Sequence, residues 1–221
     1  MKKIISNSVI VFVIVFLSPQ IIQAQGVVYL SNLGQAANGS LAVGSDSWQA
    51  AVLITGTNVG GYALNSVQLG MTDASSNPSG FKVMLYGEAN NPNAAFPGSS
   101  LGTLFGANNP STGSVYTYTD DSNITLSSDT TYFIVLTAGT TIADGAYDWS
   151  STSTGSYGSY NPTGGWIGGN VLLHSSNGSS WAANSSYSPQ FSITATAIPE
   201  PGVLSLLGLG GLGFLWQRLK T

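Results

Sequence analysis

The segment Thr131–Thr137 reads Thr-Tyr-Phe-Ile-Val-Leu-Thr. It is short, β-branched and aromatic, which is the composition of a strand. Successive strand side chains point to opposite faces. Phe133 and Val135 therefore share one face, and Tyr132, Ile134 and Leu136 share the other. Both faces are apolar, so this strand is expected to be central in its sheet and covered on both sides.

The rest of the body follows suit. Runs rich in Val, Ile, Thr, Tyr and Phe are separated by Gly, Asn, Pro and Ser clusters. Strands are predicted at Gln49–Ile54, Tyr62–Met71, Phe81–Tyr86, Leu101–Phe105, Ser114–Thr119, Ile167–His174 and Gln190–Ala197. No long stretch of 3.6-residue period occurs between the two ends, and no internal repeat is visible. Many short strands with frequent turns predict an all-β fold, a β-sandwich of jelly-roll-like form. A signal helix is expected before it and a hydrophobic helix after it.

Charge is scarce: 6% of the chain against a typical ~25%. Between residues 25 and 198, Lys82 is the only cation. It faces Asp46, Asp73, Glu88, Asp120, Asp121, Asp129, Asp144 and Asp148. The chain's formal charge of −4 understates this, because the other basic residues lie in the terminal segments. A surface of this kind cannot collect phosphates, which excludes nucleic acid as a partner and disfavours anionic lipid. There is no cysteine, so disulfides and thiolate metal sites are impossible. Residues 25–198 are long enough for one domain with a real core.

The two ends read differently. Lys2 and Lys3 precede the apolar run Val9–Leu17, and Ile22-Gln23-Ala24 ends on a small residue. That is the pattern of a secretory signal peptide over residues 1–24, with Gln25 starting the mature chain. At the other end, Pro199-Glu200-Pro201 is a stiff spacer that continues neither strand nor helix. The apolar run Gly202–Trp216 follows, and Arg218 and Lys220 close the chain as a basic stop. As a helix that run is about 22 Å long, short of the ~30 Å hydrocarbon core. It reads as a transient anchor, with its basic end held in the cytoplasm.

Residues 199–221 resemble the PEP-CTERM sorting signal of exopolysaccharide-producing Gram-negative bacteria. The resemblance implies export through the secretion machinery, and cleavage by an exosortase near Pro199-Glu200-Pro201. It also implies a final location at the cell surface or outside the cell. The stretch Trp48–Gly139 resembles the choice-of-anchor R domain. That likeness rests on Tyr62-Ala-Leu-Asn-Ser-Val-Gln-Leu69, Val83-Met-Leu-Tyr86, Pro97-Gly98, Leu101-Gly-Thr-Leu104, Tyr116-Thr-Tyr118, Leu126 and Thr130-Thr-Tyr-Phe-Ile-Val-Leu136. It implies a surface β-sandwich and carries no activity.

Chemistry-bearing motifs are few. Gly98-Ser-Ser-Leu-Gly102 has the form of a nucleophile elbow but precedes a strand rather than a helix. Gly208-Leu-Gly-Gly-Leu-Gly213 has dinucleotide spacing but lies inside the sorting tail. His174, the chain's single histidine, sits at a strand end before a turn. Asp120 and Asp121 are adjacent and would point apart on a strand. The loop Thr119–Asn123, or Asp144 with Asp148, offers oxygens to calcium without a known ligand spacing, and ordinary turn chemistry is the alternative. Neither a metal site nor a cofactor is assigned. Asn38, Asn123, Asn177 and Asn184 match the glycosylation triplet by composition alone.

The densest candidate region is Asp144–Trp181. Among its rings, Trp149, Tyr157, Tyr160 and Trp166 would stack on sugar faces if exposed, or fill the core if not. The sequence therefore predicts a non-enzymatic, exported surface protein with a structural or adhesive role in the envelope or exopolysaccharide matrix. A carbohydrate-binding module is the alternative, and a glycan-active enzyme a weaker one.

Overall fold

A computed structural model describes residues 26–90, 95–106, 109–152, 163–184 and 187–200. The expected signal peptide and its helix lie outside them. So does the tail from Pro201 onward, with Arg218 and Lys220 and the expected C-terminal helix. Among the described residues there is no helix, and hence none long and apolar enough to cross a membrane.

The strands in chain order are β1 (Val27–Ser31), β2 (Gly39–Val43), β3 (Trp48–Ile54), β4 (Tyr62–Met71), β5 (Ser75–Ser76) and β6 (Lys82–Glu88). Then come β7 (Pro97–Leu104), β8 (Ser114–Thr119), β9 (Thr125–Leu126), β10 (Thr131–Thr137) and β11 (Gly145–Thr152). The last are β12 (Ile167–Ser175), β13 (Ala182–Asn184), β14 (Ser188–Pro189) and β15 (Phe191–Ala197). They form two antiparallel sheets. The first follows the order β1-β15-β4-β11-β14, with β8 and β9 on β4 and with β2 and β5 on β11. The second runs β13-β12-β3-β10-β6-β7.

The expected strands are present with shifts of a few residues at most ends; β4, β8 and β10 match the expected ranges. β7 begins earlier than expected, at Pro97, and a proline is tolerated there because β7 is an edge strand. Strands β1, β2, β5, β9, β11, β13 and β14 were not expected.

One core lies between the sheets. Val67, Leu69, Trp149, Phe191 and Ile193 come to it from the first sheet, and Leu53, Leu85, Ile134 and Leu136 from the second. All are fully buried, each contributing on the order of 1.5–3 kcal/mol of burial. β4 keeps its apolar residues inward through a register break. Tyr62 and Leu64 are buried, then Val67, Leu69 and Met71, so the alternation slips by one. The pairing with β15 shifts at the same place and leaves Asn65 unpaired. This is a β-bulge, and it resets the pleat so that both halves of the strand face the core.

β10 lies between β3 and β6, as its two apolar faces require. Tyr132, Ile134 and Leu136 join the core between the sheets. Phe133 and Val135 join a second cluster on the outer face, with Ala50, Met84 and Leu173. At one end of the first sheet, β1 pairs antiparallel with β15 through Val27 and Ala195. The chain thus enters at Gly26 and leaves at Ile198 on the same end of the domain.

Candidate functional site

The C-terminal exit is built by β15 and one turn. β15 lies between β1 and β4. Pro199 has no N–H, so Ile198 is the last residue of this segment able to donate a backbone hydrogen bond before the proline. Its N–H donates to the Gly61 carbonyl at 3.0 Å. Its carbonyl accepts from Asn58 Nδ2, also at 3.0 Å. Pro199 and Glu200 beyond it are exposed. The sorting motif therefore emerges from a fixed point, with no slack between it and the last strand.

The candidate sugar-stacking rings are placed otherwise than such a role needs. Trp149 is fully buried on β11, and its Nε1–H donates to the Gln190 carbonyl at 2.8 Å. Trp166 is 1% exposed. It stacks on Tyr29 at 4.9 Å between centroids and meets Tyr62 edge-on at 4.9 Å. These two tryptophans are core residues: β11 and the turn before β12 aim them between the sheets, where no sugar can reach a ring face. The carbohydrate reading is corrected at both positions. Tyr157 and Tyr160 lie outside the described residues. Tyr147, another ring of the same region, is buried against Phe81 and donates its hydroxyl to the Pro78 carbonyl at 3.0 Å. Burial raises its phenol pKa above the ordinary tyrosine value.

Partly exposed rings lie on the outer face of the second sheet, and of these only Trp181 belongs to the region that the sequence pointed to. Trp48, Tyr86, Phe96 and Trp181 roof the cluster of Ala50, Met84, Phe133, Val135 and Leu173. Beside them is an open cavity of about 320 Å³ walled by Val52, Ile54, Phe96, Ile167, Val171 and Leu173. Thr131 is the single polar side chain among the described residues that line it. A sugar needs several hydrogen-bond partners, and the described residues of this wall offer one polar side chain. The alternation of β10 signalled an apolar outer face; Phe96 and Trp181 stand on separate segments, and nothing local links them to it.

Four of the acidic side chains are spent on the chain's own loops. Asp120 accepts from the Ser122 N–H at 2.7 Å and from the Ile124 N–H, while Asn123 takes a left-handed φ of 57°. Asp73 accepts from the Gly113 N–H at 2.7 Å, and Asp46 from the Ile142 N–H at 2.9 Å. Asp144 accepts from Thr141 Oγ1 at 2.7 Å. This is turn chemistry. Among the described residues no three His, Asp or Glu gather as metal ligands would. Asp148 is half-buried; burial raises its pKa, and a hydrogen bond from Ser40 Oγ partly offsets this. His174 is exposed on β12. Gly98–Gly102 lies within edge strand β7 rather than at a strand-to-helix turn, so Ser99 and Ser100 have no elbow geometry.

Residues 197–219 match the PEP-CTERM protein-sorting motif. The match begins on Ala197, the last residue of β15. The motif implies an exported protein whose sorting partner is an exosortase. No curated protein and no solved structure matches the chain.

Proposed function

We propose that this is a non-enzymatic surface or extracellular protein, sorted by an exosortase and serving a structural or adhesive role in the envelope or exopolysaccharide matrix. One observation carries the reading: the sorting motif follows the last strand without a linker, so the whole folded body is cargo of the sorting event. Residues 1–24 act as the signal peptide, and Gly202–Trp216 with Arg218 and Lys220 as a transient inner-membrane anchor. The body is a jelly-roll-like sandwich of the choice-of-anchor R kind; two antiparallel sheets with a shared core support that reading. The non-enzymatic reading starts from the turn and loop bonds that Asp46, Asp73, Asp120 and Asp144 make.

The test uses the native host with and without its exosortase. The chain should reach the surface or medium in the first and accumulate with the membranes in the second. Equal distribution in both would end the sorting reading. Hydrolysis of any matrix polymer by the exported protein would end the non-enzymatic one.

A further inference from the structure

The turn that holds Ile198 is built around bare backbone. Asn58 Nδ2 reaches the carbonyls of both Gly61 and Ile198. The Gly61 N–H closes the turn on the Asn58 carbonyl at 2.8 Å, and the Asn58 N–H donates to Tyr62 Oη at 3.2 Å. A Cβ on Gly60 would collide with the Ile198 carbonyl. Gly61 has a φ of +74°, and a Cβ there would strike the Leu126 carbonyl. Only glycine suits a left-handed position that is also this crowded. Val59 at the tip of the turn is 75% exposed.

We propose that the Asn58–Gly61 turn is a clasp that presents the sorting motif, with Asn58 a positioning residue for its processing. This rests on the reading that the motif is processed. An enzyme acting beside Pro199-Glu200-Pro201 has to order that segment, and ordering a free chain costs conformational entropy. A segment already fixed at Ile198 and stiffened by Pro199 has less to lose. The clasp also sets a distance. Three residues separate Ile198 from the apolar run that starts at Gly202, so the chain can span at most about 14 Å between them, four steps of up to ~3.6 Å. Wherever that run is held, the clasped end of the domain is held close by. The sorting enzyme then meets the turn and the motif together.

The test is a pulse–chase of the full chain in the native host, scored by loss of the tail. Asn58→Ala removes the side-chain bonds to Ile198 and Gly61. A second variant inserts Gly-Ser-Gly-Ser between Ile198 and Pro199, leaving the clasp and the fold intact but freeing the motif. Asn58→Ala should lengthen the processing half-time about fivefold, the effect of losing one ordinary hydrogen bond to the segment, and the insertion should slow it comparably by returning conformational freedom to the motif. Protease resistance of the exported body reports whether each variant folds. A wild-type half-time in the insertion variant overturns the clasp, because a merely structural Asn58 would slow processing only through the fold. Slow processing of the insertion variant with a wild-type rate for folded Asn58→Ala removes Asn58 from the role. A wild-type chain that never loses its tail overturns the sorting reading itself.

Discussion

The two faces of the six-stranded sheet carry the same kind of side chain and are closed in different ways. On the inner face, Leu53, Leu85, Ile134 and Leu136 meet the other sheet, whose Trp149 and Phe191 are themselves fully buried. On the outer face, Phe133 and Val135 are just as buried, yet what covers them is side chains from the same layer and its loops. That roof of Trp48, Tyr86, Phe96 and Trp181 remains partly exposed. Complete burial of a strand thus does not require a second sheet. A few large rings packed over the strand suffice, and an open apolar cavity lies beside them.

The difference is open to measurement. The largest effect is expected on the inner face. Trp149→Ala removes a fully buried ring and its hydrogen bond to Gln190, and should cost about 3–5 kcal/mol in urea unfolding. Trp181→Ala should cost about 1–2 kcal/mol, since the ring is already partly exposed and its Nε1 is without a hydrogen-bond partner. Equal costs at the two positions would erase the distinction between the faces. A finer comparison lies within the inner core. Trp149→Phe loses a hydrogen bond, whereas Trp166 Nε1 makes none. Trp149→Phe should therefore cost about 1 kcal/mol more than Trp166→Phe. Matching urea midpoints for the pair would mean that the Trp149 bond contributes nothing.

The smallest effect concerns Asp148. Burial raises its carboxyl pKa in the folded state. Its contribution to stability is then full below the ordinary carboxylate range and is lost as pH rises through the folded value. At neutral pH the charge is a liability. Asp148→Asn should raise the melting temperature slightly at neutral pH and leave it unchanged in acid, where the wild-type carboxyl is already neutral. A lower melting temperature at neutral pH would show that the Ser40 hydrogen bond outweighs the burial cost.

Much of this architecture was legible in the chain. Thr131–Thr137 announced a doubly covered strand, and Tyr62–Met71 announced its own length even though a bulge at Asn65 interrupts its alternation. Strand β11 was not legible. Gly145-Ala-Tyr-Asp-Trp-Ser-Ser-Thr152 mixes rings with small polar residues, and Ser150, Ser151 and Thr152 are buried where β2, β14 and Gln190 pair with them. Tyr147 and Trp149 stand two residues apart, and that spacing was the available clue that both face one side of a strand. The clasp was hidden for a different reason. Asn58-Val-Gly-Gly61 reads as a turn, but its partner Ile198 is 140 residues away from Asn58. A contact of that kind is set by the pairing of β15 with β4, not by local sequence.

The most direct test of the account is the intact mass of the protein recovered from outside its native host. The account requires a chain that begins near Gln25 and ends at or near Pro201. A mass that still includes Arg218 and Lys220 would contradict it.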